Sequence, residues 1–126
     1  MRKYLKILIV FIFIAIKFSY AADGSKENPF NVLLVPADGG TEEGTILDFQ
    51  PIFNALTKAT KYSFNIIVGQ SYSAVVEGIC SGLADFAWFG PVTYVQARER
   101  GCVELLAVEV RKGSSVYYSG IFAKKD

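Results

Sequence analysis

The chain contains no histidine, and only two cysteines, one tryptophan and one methionine among its 126 residues. Without histidine the commonest general base, the middle member of a nucleophile triad and the commonest metal ligand are all missing. Glu42 and Glu43 adjoin a glycine-rich turn, but neighbouring acids there fit a solvated loop or a helix start better than a catalytic pair. The chain is therefore read as not an enzyme. Two lone cysteines without histidine make a poor metal site. Gly39-Gly40 with Gly44 lacks the Lys-Ser/Thr of a phosphate-binding P-loop and does not match the dinucleotide fingerprint, so no cofactor is implied.

Positive charge is also scarce once the first residues are set aside. Met1-Arg2-Lys3-Tyr4-Leu5-Lys6 is basic and free of acids, and an uncharged apolar run from Ile7 to Ile16 follows. That run is about half the roughly 20 residues a transmembrane helix needs. With Ser19-Tyr20-Ala21 as a small-residue cleavage site, residues 1–21 read as a secretory signal peptide cut after Ala21 and residues 22–126 as the exported product. Loss of Arg2, Lys3, Lys6 and Lys17 changes the formal charge from +1 to −3. A faintly acidic product with no basic cluster is a poor partner for nucleic acid or for anionic lipid. Export places Cys80 and Cys102 where disulfides persist. The sequence does not show whether they meet, and two buried or half-buried thiols are favoured over a bond.

What remains alternates between two hydrophobic periods. Asn31 to Val35 is a continuous apolar run closed by Pro36, which suits a strand buried on both faces. Ala37 to Thr45 is a turn. Ile46, Phe49, Ile52, Phe53 and Leu56 then recur at helical spacing to about Thr60, with Pro51 expected to kink the helix or to mark where its regular part begins. Ser63 to Val68 is a second strand. Ser71 or Tyr72 opens a second helix with Ala74, Val75, Ile79 and Cys80 inward, closed by Gly82. Asp85 to Phe89 is a third strand, and of Trp88 and Phe89 one is core. A third helix starts at Pro91 and ends at Gly101, with Val92, Val95 and Tyr94 inward. Val103 to Val110 and Val116 to Ala123 read as fourth and fifth strands about a polar turn, Arg111 to Ser115. The alternation predicts an α/β fold with a mainly parallel sheet and flanking helices.

Ligands of an open parallel sheet bind beyond the carboxyl ends of its strands. Four segments meet that condition: 37–45, 69–73, 89–93 and 111–117. They supply the hydroxyls of Ser71, Ser73, Thr93, Ser114 and Ser115, the tyrosines Tyr72 and Tyr117, and glycines such as Gly90 that allow close backbone approach. Neutral donors beside helix N-termini are what a small tetrahedral oxyanion needs. Ser71 and Ser73 serve equally well as helix caps, and Gly90-Pro91 as a plain helix start.

The segments VLLVPADGG (32–40), SYSAVVEGI (71–79), ADFAWFGPVTYVQARERG (84–101) and VELLAVEVRKGSSVYYSGIF (103–122) resemble the phosphate/phosphite/phosphonate substrate-binding proteins of ABC transporters. The resemblance implies a periplasmic binding protein of the type II-like, two-lobed kind. Such a protein captures a phosphonate, phosphite or phosphate oxyanion between its lobes and delivers it to a membrane permease. By position, Tyr72 matches the ligand-contacting aromatic after the second strand and Tyr117 the one on the strand leading to the second lobe. Gly90, Pro91, Val92 and Thr93 match the turn whose backbone faces the cleft, with Val92 and Thr93 as the only N–H donors there, since Pro91 has none. Family members continue well past the point matching Asp126. On this reading residues 22–126 are the N-terminal lobe, truncated before the second, whose Ser/Thr-rich helix start and later ligand contacts have no counterpart here. The alternative is a shortened or degenerate lobe without transport function, acting as an interaction or sensory module or as a decaying gene product.

Overall fold

The computed structural model describes residues 21–36, 40–118, 120 and 122–124. The expected signal peptide therefore lies outside the described residues except for Ala21, and so does the tip of the first turn, 37–39. The elements are β1 (Phe30–Leu34), α1 (Glu42–Thr60), β2 (Phe64–Val68), α2 (Tyr72–Cys80), β3 (Phe86–Trp88) and α3 (Pro91–Glu99).

The three strands form one all-parallel sheet in the order β2-β1-β3. β1 is central and explains why its run is apolar on both faces: Val32, Leu33 and Leu34 are at most 3% exposed. Val32 and Leu34 face one side, in a cluster with Phe53 and with Phe49, Phe64, Ile66, Val68, Phe86 and Trp88. Here α1 packs, and Phe49 meets the Trp88 ring edge to face at 5.1 Å. Leu33 points the other way, toward α2, as the two-residue period of a strand requires. A Cβ on Gly78 would come within 2.8 Å of Leu33 Cδ1, so glycine lets α2 lie close against β1.

Helix boundaries follow from caps. α1 begins at Glu42, four residues before the expected Ile46, because Thr41 is its N-cap and Thr41 Oγ1 accepts the Gly44 N–H at 3.1 Å. Glu42 and Glu43 then occupy the first turn, where negative charge favours the helix. Pro51 lies inside α1 rather than at the start of its regular part. The helix ends on Lys61 in the left-handed region (φ 67°), a closure that no glycine signals in the sequence. Gly82 takes the left-handed conformation expected of it after α2, and Gly101, expected as the stop of α3, is left-handed too.

Three expectations are corrected. The inward residues of α2 are Val75, Val76 and Gly78, while Ala74 is exposed and Ile79 and Cys80 are half-buried. α2 is covered on two sides, by the sheet and by α3, which shifts and widens its buried stripe. In α3 the buried residues are Thr93 and Ala97, whereas Val92 and Val95 are 72% and 50% exposed. This short helix leans on α2 through small side chains four residues apart. Finally, the described residues of 103–110 and 116–123 do not join the sheet. Residues 104–118 are exposed, and their one ladder contact is an antiparallel bridge between Arg111 and Ser114. That bridge closes the expected polar turn, with Lys112 and Gly113 both at positive φ as a two-residue hairpin loop requires. Both segments are rich in apolar and β-branched residues, but among the described residues no strand lies against them, and a strand is stabilised by its neighbour.

The cysteines are also settled: Cys80 and Cys102 form a disulfide, Cα to Cα 4.9 Å, instead of the two thiols favoured from sequence. Their 22-residue separation hid the fact that α3 folds back along α2, which returns Cys102 to the end of α2.

Candidate functional site

The strands end in register, with Leu34 opposite both Val68 and Trp88, so all three chains leave the sheet at one edge. The Gly69 N–H donates to the Leu34 carbonyl at 3.0 Å and extends that edge by one residue. Each exit is followed by a helix N-terminus, at Thr41, Ser71 and Gly90. From β1 the chain passes to α1 on one face, and from β3 to α3 beside α2 on the other. The exits of adjacent strands thus diverge between β1 and β3, the place where open α/β sheets leave a crevice.

The three termini differ in how far their donors are already used. At α1, Thr41 caps, and Glu42 and Glu43 offset the partial positive charge. At α2, Ser71 is the N-cap and its Oγ accepts the Ala74 N–H at 3.1 Å, the capping role the sequence had left open. At α3, the N-cap is Gly90, which makes no side-chain cap hydrogen bond. Pro91 contributes no donor and the Tyr94 N–H is bonded to the Gly90 carbonyl at 3.0 Å. The first-turn amides not accounted for by a cap are those of Val92 and Thr93. The β2–α2 and β3–α3 segments, Gly69 to Ser73 and Phe89 to Thr93, carry no formal charge.

The expected site residues divide into two groups. Ser71, Tyr72, Ser73, Gly90, Pro91, Val92 and Thr93 are all at this edge. Tyr72 is 46% exposed at the start of α2, Val92 is open and Thr93 is 4% exposed. With one strand between them, β2 and β3 place the two segments roughly 10 Å apart. No described hydrogen bond brings Ser114, Ser115 or Tyr117 to this edge. Ser114 Oγ accepts the Val116 N–H at 3.2 Å and donates to the Val116 carbonyl at 3.1 Å, closing its own turn. Tyr117 is 70% exposed, and no described hydrogen bond joins 103–118 to the sheet. Beside that turn, a hydrogen bond and the charge of Glu109 raise the already high pKa of Arg111, which remains a cation.

Neither described cavity includes the Gly90–Thr93 turn, and of the expected site residues only Ser73 borders one. One, about 390 Å³, runs between α2 and α3 past Ser73, Glu77, Gln96 and Arg100. The other, about 440 Å³, is at the amino ends of the strands beside Asn31 and Asp85. Sequence reasoning missed both polar pairs there. Arg100 Nη1 meets Glu77 Oε1 at 2.6 Å, and the Asn31 N–H donates to Asp85 Oδ2 at 2.8 Å, tying β1 to the entry of β3. Neither pair is visible without knowing which elements are neighbours.

A family model described as ABC transporter, phosphonate, periplasmic substrate-binding protein matches residues 40–126. The chain belongs to this family. The matched range takes in 69–73, 89–93 and 111–117, while all but the last residue of VLLVPADGG precedes it. Among curated proteins, the phosphate-import protein PhnD of Mycolicibacterium smegmatis is 31% identical over 83 residues. That alignment spans 66% of this chain and 25% of the relative, so the chain corresponds to about a quarter of the relative's length. Members of the family are substrate-binding proteins of transporters rather than enzymes.

Proposed function

We propose that the chain is the N-terminal lobe of the periplasmic substrate-binding component of an ABC transporter for phosphonate, phosphite or phosphate oxyanions. The observation that carries this reading is the uncapped N-terminus of α3 opening at the β1–β3 switch, beside the capped N-terminus of α2. Backbone N–H groups and the helix partial charge there favour an anion without a formal positive charge. Val92 and Thr93 supply amides, Ser71 and Ser73 hydroxyls, and Tyr72 a phenol whose ring shields the anion from water. Gly90 and Pro91 shape the turn. Ser114, Ser115 and Tyr117 belong to the route toward a second lobe and reach the ligand when that lobe closes. The permease is the protein partner. Export by the signal peptide places the lobe in the periplasm, and no helix among the described residues is long and apolar enough to cross a membrane.

An open rim exchanges its anion with water freely, so the chain by itself is expected to bind phosphite or methylphosphonate weakly, and submicromolar affinity would contradict the two-lobe reading. Extended through a second lobe of the family's length, it is expected to give calorimetric heat with at least one of phosphonate, phosphite and phosphate. Silence with all three would sink the proposal. In that extended protein Tyr72→Ala is expected to weaken binding roughly tenfold, the value of one hydrogen bond to a charged group. Tyr72→Phe then separates the hydroxyl from the ring.

A further inference from the structure

α3 is attached to the lobe mainly through its neighbour. Its buried residues are Thr93 and Ala97, its packing is against α2, and α2 in turn lies on β1 and β3. A nine-residue helix with so little apolar surface covered is marginal on its own. Two further links join α2 to α3 or its end. The Arg100–Glu77 ion pair is at least half exposed on both sides and contributes little. The Cys80–Cys102 disulfide joins the last residue of α2 to the turn just beyond the end of α3, and both cysteines are half-buried. The opposite end of α3 is the turn from Gly90 to Thr93.

We propose that the Cys80–Cys102 disulfide is a latch that seats α3 on α2 and thereby holds the Gly90–Thr93 wall at the sheet edge, so that reduction frees this wall ahead of the rest of the lobe. Its consequence for binding rests on the oxyanion reading above, whereas the latch itself does not. Reduction by a dithiol transfers two electrons and two protons to the S–S bond, leaving thiols on Cys80 and Cys102 and converting the dithiol to its own disulfide. Cys80 and Cys102 are positioning residues on this account, acting through α3.

The test is residue-resolved amide hydrogen exchange on the full chain, oxidised and in the presence of a dithiol, with the C80S/C102S double variant as a second route to the unlinked state. Protection of Tyr94 to Glu99 is expected to fall at least tenfold further than that of Val32 to Leu34. Equal loss in both sets, outright unfolding included, would make the bond a general staple and overturn the latch, as would no loss in either. The second readout is the Val92 amide shift on titration with phosphite. A response present in the oxidised chain and weakened severalfold on reduction supports the link to binding, and one unchanged by reduction overturns it. An oxidised chain that shows no phosphite response contradicts the oxyanion reading instead, and the exchange ratio still decides the latch.

Discussion

Gly90→Asp is expected to stabilise α3 while weakening oxyanion binding about 100-fold, on the basis of two lost hydrogen bonds to a charged ligand. Gly90 is the N-cap of α3 in ordinary extended backbone (φ −75°, ψ 166°), and a Cβ there would make a normal 3.7 Å contact with Thr93 Oγ1. An aspartate is therefore accommodated. Its carboxylate accepts the Val92 or Thr93 N–H, adding a few tenths of a kcal/mol over glycine as a cap and about 0.3–1 kcal/mol from the helix dipole. Those same amides are the proposed anion donors, and the new negative charge repels what remains. Gly90→Ala adds the Cβ without the charge and is expected to leave affinity within a few-fold. Thermal melting and calorimetry on the two variants of the two-lobed protein read the opposite signs. An aspartate that leaves affinity intact would remove α3 from the site.

The second large effect concerns the sheet that aims these helices. Leu34→Ala is expected to cost about 2–5 kcal/mol, because it deletes most of a fully buried side chain and leaves a cavity that rigid neighbours cannot fill. Leu34 is 0% exposed, stands between Val68 and Trp88 in the ladder and shares a cluster with Val32 and Phe53. For a domain whose whole stability is on the order of 5–15 kcal/mol, such a loss unfolds an appreciable fraction of molecules or all of them. Leu34→Ile keeps the volume and is expected to cost less than about 1.5 kcal/mol. Urea titration separates the two, and an alanine variant within about 1 kcal/mol of the parent would show that β1 is not the centre of the core.

The fold was readable where a local pattern and its tertiary partner agree. The run around Val32 to Leu34 announced a strand buried on both faces, and Pro91 and Gly82 marked a helix start and a helix end. Boundaries set by side-chain caps were harder: Thr41 moved the start of α1 to Glu42, and Lys61 closed it without a glycine. What sequence left unread depends on which elements are neighbours. The inward faces of α2 and α3 turned because α3 packs on α2 instead of on the sheet, and the same packing brought Cys102 to Cys80. The segment from Val103 to Val110 has the composition of a strand, yet no described strand pairs with it. Of the candidate site, the half built on helix N-termini was legible, because Ser71, Gly90 and Pro91 are themselves helix-start signals. The half at Ser114, Ser115 and Tyr117 rested on a fourth strand ending at Val110, with the family resemblance added for Tyr117 alone; no such strand forms among the described residues, and no described contact brings these residues to the rim.

The central claim is that the edge where β2 and β3 hand over to α2 and α3 is the oxyanion site. Amide chemical shifts of the isotopically labelled chain, followed while phosphite is added, test it directly and remain informative at weak affinity. The account predicts that the largest shifts fall on Val92, Thr93 and the first turn of α2 from Tyr72 to Ala74, and that they saturate together. Shifts centred on Glu77, Gln96 and Arg100, or no saturable shift anywhere, would contradict it.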